Sequence, residues 1–564
     1  MPRRSLLSLL CAMITWLAAT QALAQAATGG TERVREIVER VRDDPAQRVR
    51  GEAIAARRAL PELYANRGFS LAWGSADARA ELLRAIRDSA ADGLDPQDYH
   101  LAALEKLADA TATPAVSSGG LSSGGAPNDL WIDYDLLQTD ALARLLYHLI
   151  FGKVDPREVT PHWNFDREVH RGDPARFLQS VIDAPSVYAE IEREKPQYEM
   201  YLKLRAEYAR YRELRERGGW TAIPGGPALK PGMHDARVAA LRARLAATGE
   251  LAHPASPTDA LSFDDALSAA VRTFQSVNGL DTDGAVGAST LAALNSPLDA
   301  RIEQIAVNLE RGRWLLHDLA PSFIVVNVAG YRVYYLRDRE LVWSARAQVG
   351  KPYRQTPIFR STLQYLVINP TWTVPPGILA KDILPALKRD PGYLAKKGLE
   401  VIDADGRPVT TPIDWVSMTP SKFRYQLRQG PGPNNALGRV KFMFPNPYSV
   451  YLHDTPSQAL FEKSARAFSS GCIRVENALE LAAVLLEGQP GWDAAAIQSA
   501  VDAGETRTVT LQEKMPVLLT YWTSWVDRDG LLQFRSDVYG QDEKVRTALH
   551  APFRIHRTSD VTGE

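Results

Sequence analysis

Cysteine is almost missing from this chain: among 564 residues there are two, Cys11 and Cys472. Cys11 lies in an opening segment that combines Arg3 and Arg4, an apolar run from Leu6 to Ala22 and the small-residue ending Ala22-Leu23-Ala24. That is the layout of a secretory signal peptide cleaved before Gln25, so residues 1–24 are expected to leave. A retained anchor needs roughly 20 unbroken apolar residues, and Thr15, Thr20 and Gln21 interrupt this run. A lipid-modified cysteine comes after a small residue, whereas Leu10 precedes Cys11. The mature chain is then left with Cys472 alone and cannot form an internal disulfide. A single thiol in an oxidising compartment is either buried or used as a reactive thiolate. Charge of one sign is lacking as well: 66 basic residues against 67 acidic ones give a net charge of −1. Nucleic-acid binding, which rests on a basic excess, is not expected, and no second apolar run is long enough to make a transmembrane segment.

What is present falls into several units, as expected for this length. Residues 25–228 read as a helical scaffold domain, with apolar residues at spacings of three and four. Tyr201, Leu204, Tyr208 and Tyr211 form an aromatic stripe on one charged helix and are expected in a core. Ser117 to Gly125 is of low complexity and reads as a loop. A second unit, 229–297, offers helices from His234 to Ala247, from Asp264 to Asn278 and from Ser289, with Gly279 at a helix C-cap and Gly284 in a tight turn. Ala270 to Leu280, with Asp283-Gly284 and Thr290-Leu291 after it, resembles the small three-helix peptidoglycan-binding domain.

A linking helix is placed within 298–320, and the texture changes at Pro321. Phe323 to Val328, Tyr331 to Arg337, Leu341 to Val349, Tyr365 to Ile368 and Val440 to Met443 are rich in β-branched and aromatic residues and read as an antiparallel sheet. The resulting unit is 321–545, with a tail at 546–564. The stretch 376–432 is expected to be an insertion lying over a cleft as a lid.

From Tyr448 to His453 the residues alternate, which sets Tyr451 and His453 on one face of a strand. Asp454-Thr455-Pro456 reads as the start of a helix reaching Ala467, and Phe468 to Val475 as the turn that returns Cys472 to His453. A thiol that attacks an amide carbonyl needs a base and N–H donors for the oxyanion. His453 is the candidate base, the backbone at Gly471 and Cys472 the candidate oxyanion donor, and Arg474 a cation able to favour thiolate or hold a substrate carboxylate.

His453-Asp454-Thr455-Pro456, taken with Ser469-Ser470-Gly471-Cys472-Ile473-Arg474, resembles the signature of YkuD-type L,D-transpeptidases, and most of all their large YcbB-like branch. Many family members have histidine where this chain has Ser470 and glycine where it has Asp454, so a second histidine plays no part in this motif. Asn369 to Pro376, Lys381-Asp382, Leu437-Gly438, Lys441-Phe442 and Phe444 to Asn446 resemble that branch too. The resemblance implies a multidomain α+β protein with a mainly-β catalytic domain, located in the periplasm. It implies Cys472 as nucleophile, His453 as general base and acid, and acyl transfer from a donor tetrapeptide stem to a diaminopimelate amine, giving a 3→3 cross-link with loss of D-alanine. Arg474, Ser469, Ser470, Tyr451, Asp454 and Trp372 are the expected substrate contacts. The implied partners are peptidoglycan stem peptides, with the sacculus held through 229–297, and no metal or organic cofactor is required. Carbapenems are implied acylating agents of Cys472.

Other readings of the same residues stay open at this point. A hydrolase with the same pair would pass the acyl group to water and trim stems or open cross-links. A zinc site on Cys472 and His453 would need one or two further ligands. A protein without catalysis would only bind the wall.

Overall fold

The computed structural model describes residues 31–112, 129–165, 172–252 and 260–555. The signal-peptide segment, the loop expected at Ser117 to Gly125 and the last residues of the tail lie outside the described residues. Four hydrophobic clusters organise the chain.

The N-terminal body is helical and is built round α1 (Asp129–Phe151), which is buried on nearly all sides. Two of the carboxylates it buries are fully engaged, as burial requires, whereas the buried Gln138 amide makes no hydrogen bond among the described residues. Asp135 accepts from the Tyr64 hydroxyl and from the Ala72 and Trp73 amides at 2.9 and 2.8 Å. Asp140 accepts from the Ala55 and Ala56 amides at 2.8 and 2.7 Å and from Arg144 at 2.6 Å.

The aromatic stripe is core, but not the core its position in sequence suggests. On α2 (Glu199–Glu216), Tyr201, Leu204 and Tyr211 belong to the cluster of the linking helix and the C-terminal sheet. The reason is the close fit of α2 on α3 (Leu298–Leu315): a Cβ on Gly312 would sit 2.6 Å from the Tyr201 ring. Beneath this contact Arg313 and Glu310, both fully buried, pair at 2.5 Å. Arg313 also donates to the Asp92 carbonyl at 2.7 Å, while Glu310 accepts from the Val154 amide at 2.7 Å and the Trp314 indole at 3.0 Å. A buried ion pair persists only when its remaining hydrogen-bonding capacity is filled. Here that filling ties the helical body to α3.

The small unit has helices Arg237–Thr248, Asp265–Val277 and Ala288–Leu294 round Leu241, Leu267, Val271 and Phe274. Gly279 and Gly284 take the left-handed φ values +64° and +77° that the expected cap and turn demand.

The C-terminal unit is a nine-stranded sheet: β1 (Phe323–Asn327), β2 (Arg332–Arg337), β3 (Glu340–Gly350), β4 (Phe359–Ile368), β5 (Val440–Met443), β6 (Leu452–His453), β7 (Ala467–Ser469), β8 (Ile473–Val475) and β9 (Arg507–Thr520). Their order is β7-β3-β8-β6-β5-β4-β9-β1-β2, with β2 also pairing β3, so the pairing runs in a closed cycle. The expected antiparallel sheet is in fact mixed: β6 pairs β8, β9 pairs β1 and β7 pairs β3 in parallel. β9 has no counterpart in the expected strands, although it joins β4 to β1.

The helix expected from Asp454 to Ala467 does not form. The Asp454 carboxylate accepts from the Arg439 amide across the neighbouring strand at 2.8 Å rather than capping a helix, and one 3-10 turn at Gln458–Glu462 precedes β7. The insertion carries its own core (Val374, Leu384, Leu387, Leu427) and a three-stranded sheet of Trp372–Thr373, Gln426–Gln429 and Leu399–Ile402. The tail boundary at 546 is crossed by a helix, Asp542–Leu549, and Phe553 lies 4.7 Å from the His148 ring of the N-terminal body.

Candidate active site

A cleft of about 340 Å³ opens between the sheet and the insertion. Cys472, His453, Tyr451, Arg474, Ser469 and Ser470 line it from the sheet side, and Trp372, Gly377, Ile378 and Lys381 from the insertion. The insertion therefore forms one wall of the cleft.

The parallel pairing of β6 with β8 fixes the arrangement. Leu452 stands opposite Ile473 and His453 opposite Arg474, while the Ile473 amide donates to the Tyr451 carbonyl. Cys472 is thus level with Tyr451, and His453 is level with Arg474. The imidazole meets the thiol diagonally across one cleft, and no hydrogen bond joins them; the Cys472 Sγ–H donates instead to the Ser449 carbonyl at 3.6 Å. The turn does return Cys472 to the cleft that His453 lines, with Tyr451 level with the cysteine. The Tyr451 hydroxyl lies within hydrogen-bonding reach of the thiol and of the Trp372 indole.

His453 is buried, and its Nδ1–H donates to the Asp454 carbonyl at 2.5 Å. That bond sets the tautomer and leaves Nε2 as the basic nitrogen. Burial, with the Arg474 charge next in weight, pushes the imidazole down to about 3, so it is neutral at physiological pH. Burial also pushes the Cys472 thiol up, against opposing pulls from Tyr451, Lys441 and Arg474. The cleft therefore holds a neutral thiol beside a neutral imidazole.

The turn bearing the sulfur is held by its own polar groups. The Ser469 hydroxyl donates to the Cys472 carbonyl at 2.6 Å and accepts from the Gly471 amide at 3.1 Å. Thr356 donates to the Gly471 carbonyl at 2.8 Å. Gly471 has φ +121°, closed to most side chains, and a Cβ there would meet nothing nearer than 3.5 Å. The glycine is needed for its backbone angle. The Gly471 N–H, an expected oxyanion donor, is engaged by Ser469, whereas the Cys472 amide makes no hydrogen bond among the described residues.

The other expected contacts divide. Ser469 shapes the turn with its hydroxyl. Ser470 is exposed and accepts from Arg354 at 2.9 Å, and Arg354 also pairs with Asp382, which links the cysteine turn to the insertion. Asp454 does not line the cleft, since its carboxylate is engaged by the Arg439 amide and by Gln458 at 3.1 Å. Arg474 donates to Gln348 at 3.1 Å and has no carboxylate partner among the described residues. Lys441, opposite His453 on β5 and 4.2 Å from the Tyr451 ring centre, was not among the residues expected to act; its place in a strand gave no sign of it. Among the described residues no cluster of His, Cys, Asp and Glu could hold a metal ion.

Residues 321–492 match the L,D-transpeptidase catalytic domain (YkuD), residues 58–207 a scaffold domain and residues 234–294 the "Putative peptidoglycan binding domain". A curated protein of Haemophilus influenzae named "Putative L,D-transpeptidase" is 35% identical over 250 residues, which are 44% of this chain and 49% of that protein. The chain thus spans about half the length of that relative. Among solved structures, an L,D-transpeptidase of Xylanimonas cellulosilytica shares 15% identity, covering 53% of this chain and 99% of that one with a TM-score of 0.18. The Ldtfm-avibactam carbamoyl enzyme shares 12% identity, covering 40% and 64% with a TM-score of 0.17.

Proposed function

The chain carries an L,D-transpeptidase catalytic domain joined to a peptidoglycan-binding domain, and from that premise we propose that it forms 3→3 cross-links in the periplasm through a Cys472 thioester. The observation that carries this reading is the shared cleft: one thiol, one neutral imidazole with its tautomer fixed by a carbonyl, and an unpaired amide at the nucleophile.

Cys472 Sγ attacks the carbonyl carbon of the third residue of a donor tetrapeptide stem, and His453 Nε2 takes the thiol proton. The Cys472 amide receives the oxyanion, where a preorganised donor acts only as charge develops. Collapse breaks the amide bond and expels D-alanine, whose nitrogen takes the proton from His453. The side-chain amine of diaminopimelate on a second stem then attacks the thioester, His453 removes its proton, and the thiol is restored.

Arg474 gives the substrate a part in its own activation. Its charge is one cause of the depressed His453 basicity. A stem carboxylate docked on Arg474 neutralises that charge, so His453 becomes a better base when the cleft is filled. Closure of the insertion excludes water and favours the amine over hydrolysis.

Replacing Cys472 with Ala tests the assignment: D-alanine release from disaccharide-tetrapeptide should vanish while the circular dichroism spectrum is unchanged. Continued release by that variant would exclude Cys472 as the nucleophile.

A further inference from the structure

A second cavity, of about 390 Å³, lies where α2, the small helical unit, α3 and the strand end at Leu532 to Phe534 meet. Its lining is unlike the catalytic cleft. Arg244, nearly fully buried, stacks on the Trp220 ring at 3.7 Å, donates through Nε to the Leu294 carbonyl at 2.9 Å and reaches Thr248 at 2.8 Å. Arg301 stacks on Phe534 at 4.3 Å and donates to Asn278 at 2.9 Å and Gln304 at 3.0 Å. Neither guanidinium has an ion-pair partner among the described residues, and the Arg244 charge adds to burial in lowering the affinity of Arg301 for its proton. Two carboxylates line the cavity: Glu207 pairs with Arg210 at 2.7 Å, and the part-buried Glu250 accepts from Thr248 and acts on Arg244 and Arg301 through space without forming an ion pair with either. Tyr211, Phe274 and Phe534 supply aromatic faces.

Two arginines held by stacking and by neutral acceptors, with no ion pair, form a site short of one anion. Guanidinium forks suit carboxylates, and ring faces suit the apolar parts of a peptide or sugar. We propose that this cavity binds a carboxylate of a peptidoglycan stem peptide, so that the small unit holds the wall through a composite site completed by α3 and the catalytic unit. This rests on the reading of that unit as peptidoglycan-binding. It adds that the site is shared, which couples wall attachment to the placement of the catalytic cleft.

The test uses the full chain with Cys472→Ala, so that bound stems are not turned over, in a pelleting assay with purified sacculi. Arg301→Gln and, separately, Thr273→Trp, which fills the cavity from its rim, should each weaken pelleting about tenfold, the scale of one lost charge-assisted hydrogen bond. Arg301→Lys should recover part of the binding. Sacculi stripped of their stem peptides by an amidase should pellet the parent protein no better than the variants. Undiminished pelleting of both variants, with strong pelleting of the parent, would overturn the cavity and leave the peptidoglycan-binding reading intact. Equal pelleting on stripped glycan would overturn the carboxylate. Failure of the parent itself to pellet would count against the underlying reading.

Discussion

The charge state of the resting cleft makes a prediction that separates this site from cysteine enzymes with a preformed ion pair. A free thiol with a pKa of about 8.5 is roughly 3% ionised at pH 7. Burial pushes Cys472 higher than its ordinary value, so its ionised share at pH 7 falls below that, and the imidazole, down at about 3, is too weak a base to take the proton unaided. Alkylation of Cys472 by iodoacetamide should therefore be slow at neutral pH and climb about tenfold per pH unit from 7 to 9, as the thiolate alone reacts. His453→Ala should change that profile by less than about threefold while abolishing transpeptidation, because the imidazole acts in the transition state and not on the resting thiol. Lys441→Ala, which removes a cation that favours the thiolate, should shift the profile to higher pH. The assay is the rate of mass gain on the intact protein. A plateau already reached below pH 7, lost in His453→Ala, would show a resting thiolate–imidazolium pair and refute the reasoning.

Ser469→Ala should unfold at lower urea than the parent, by about 1–3 kcal/mol, because it strands the Gly471 amide and the Cys472 carbonyl; it should also slow acylation, read as the rate of adduct formation. Glu310→Gln leaves the fully buried Arg313 without its carboxylate, so denaturant unfolding should show a loss of about 3–5 kcal/mol, with the catalytic chemistry unaltered in the protein that remains folded.

The sequence was most legible where a pattern is local. Runs of β-branched and aromatic residues gave β1 to β3, and alternation placed Tyr451 beside His453, with ring centres 5.5 Å apart. Periodicity and glycine placement gave the three helices of the small unit, Gly279 and Gly284 included. Illegible were the features set by pairing between distant segments. The register of β6 on β8 decides that Tyr451, not His453, is level with Cys472. Asp454 looks like a helix cap in one dimension, yet its acceptor capacity is taken by Arg439, fifteen positions earlier. Ser469 and Lys441 matter because of what the fold brings to them, a turn to brace and a thiol to face. Likewise α2 belongs by sequence to the helical scaffold and by packing to α3, since a glycine on the partner helix opened room for Tyr201.

The most direct test of the account is to weigh what the mature protein makes from purified disaccharide-tetrapeptide. Joined dimers lacking one D-alanine, formed by way of a stem-sized adduct on Cys472 that is caught when acceptor is limiting, are the expected result. Unchanged tetrapeptide with Cys472 unmodified would contradict it, and tripeptide as the sole product would assign the same cleft to hydrolysis.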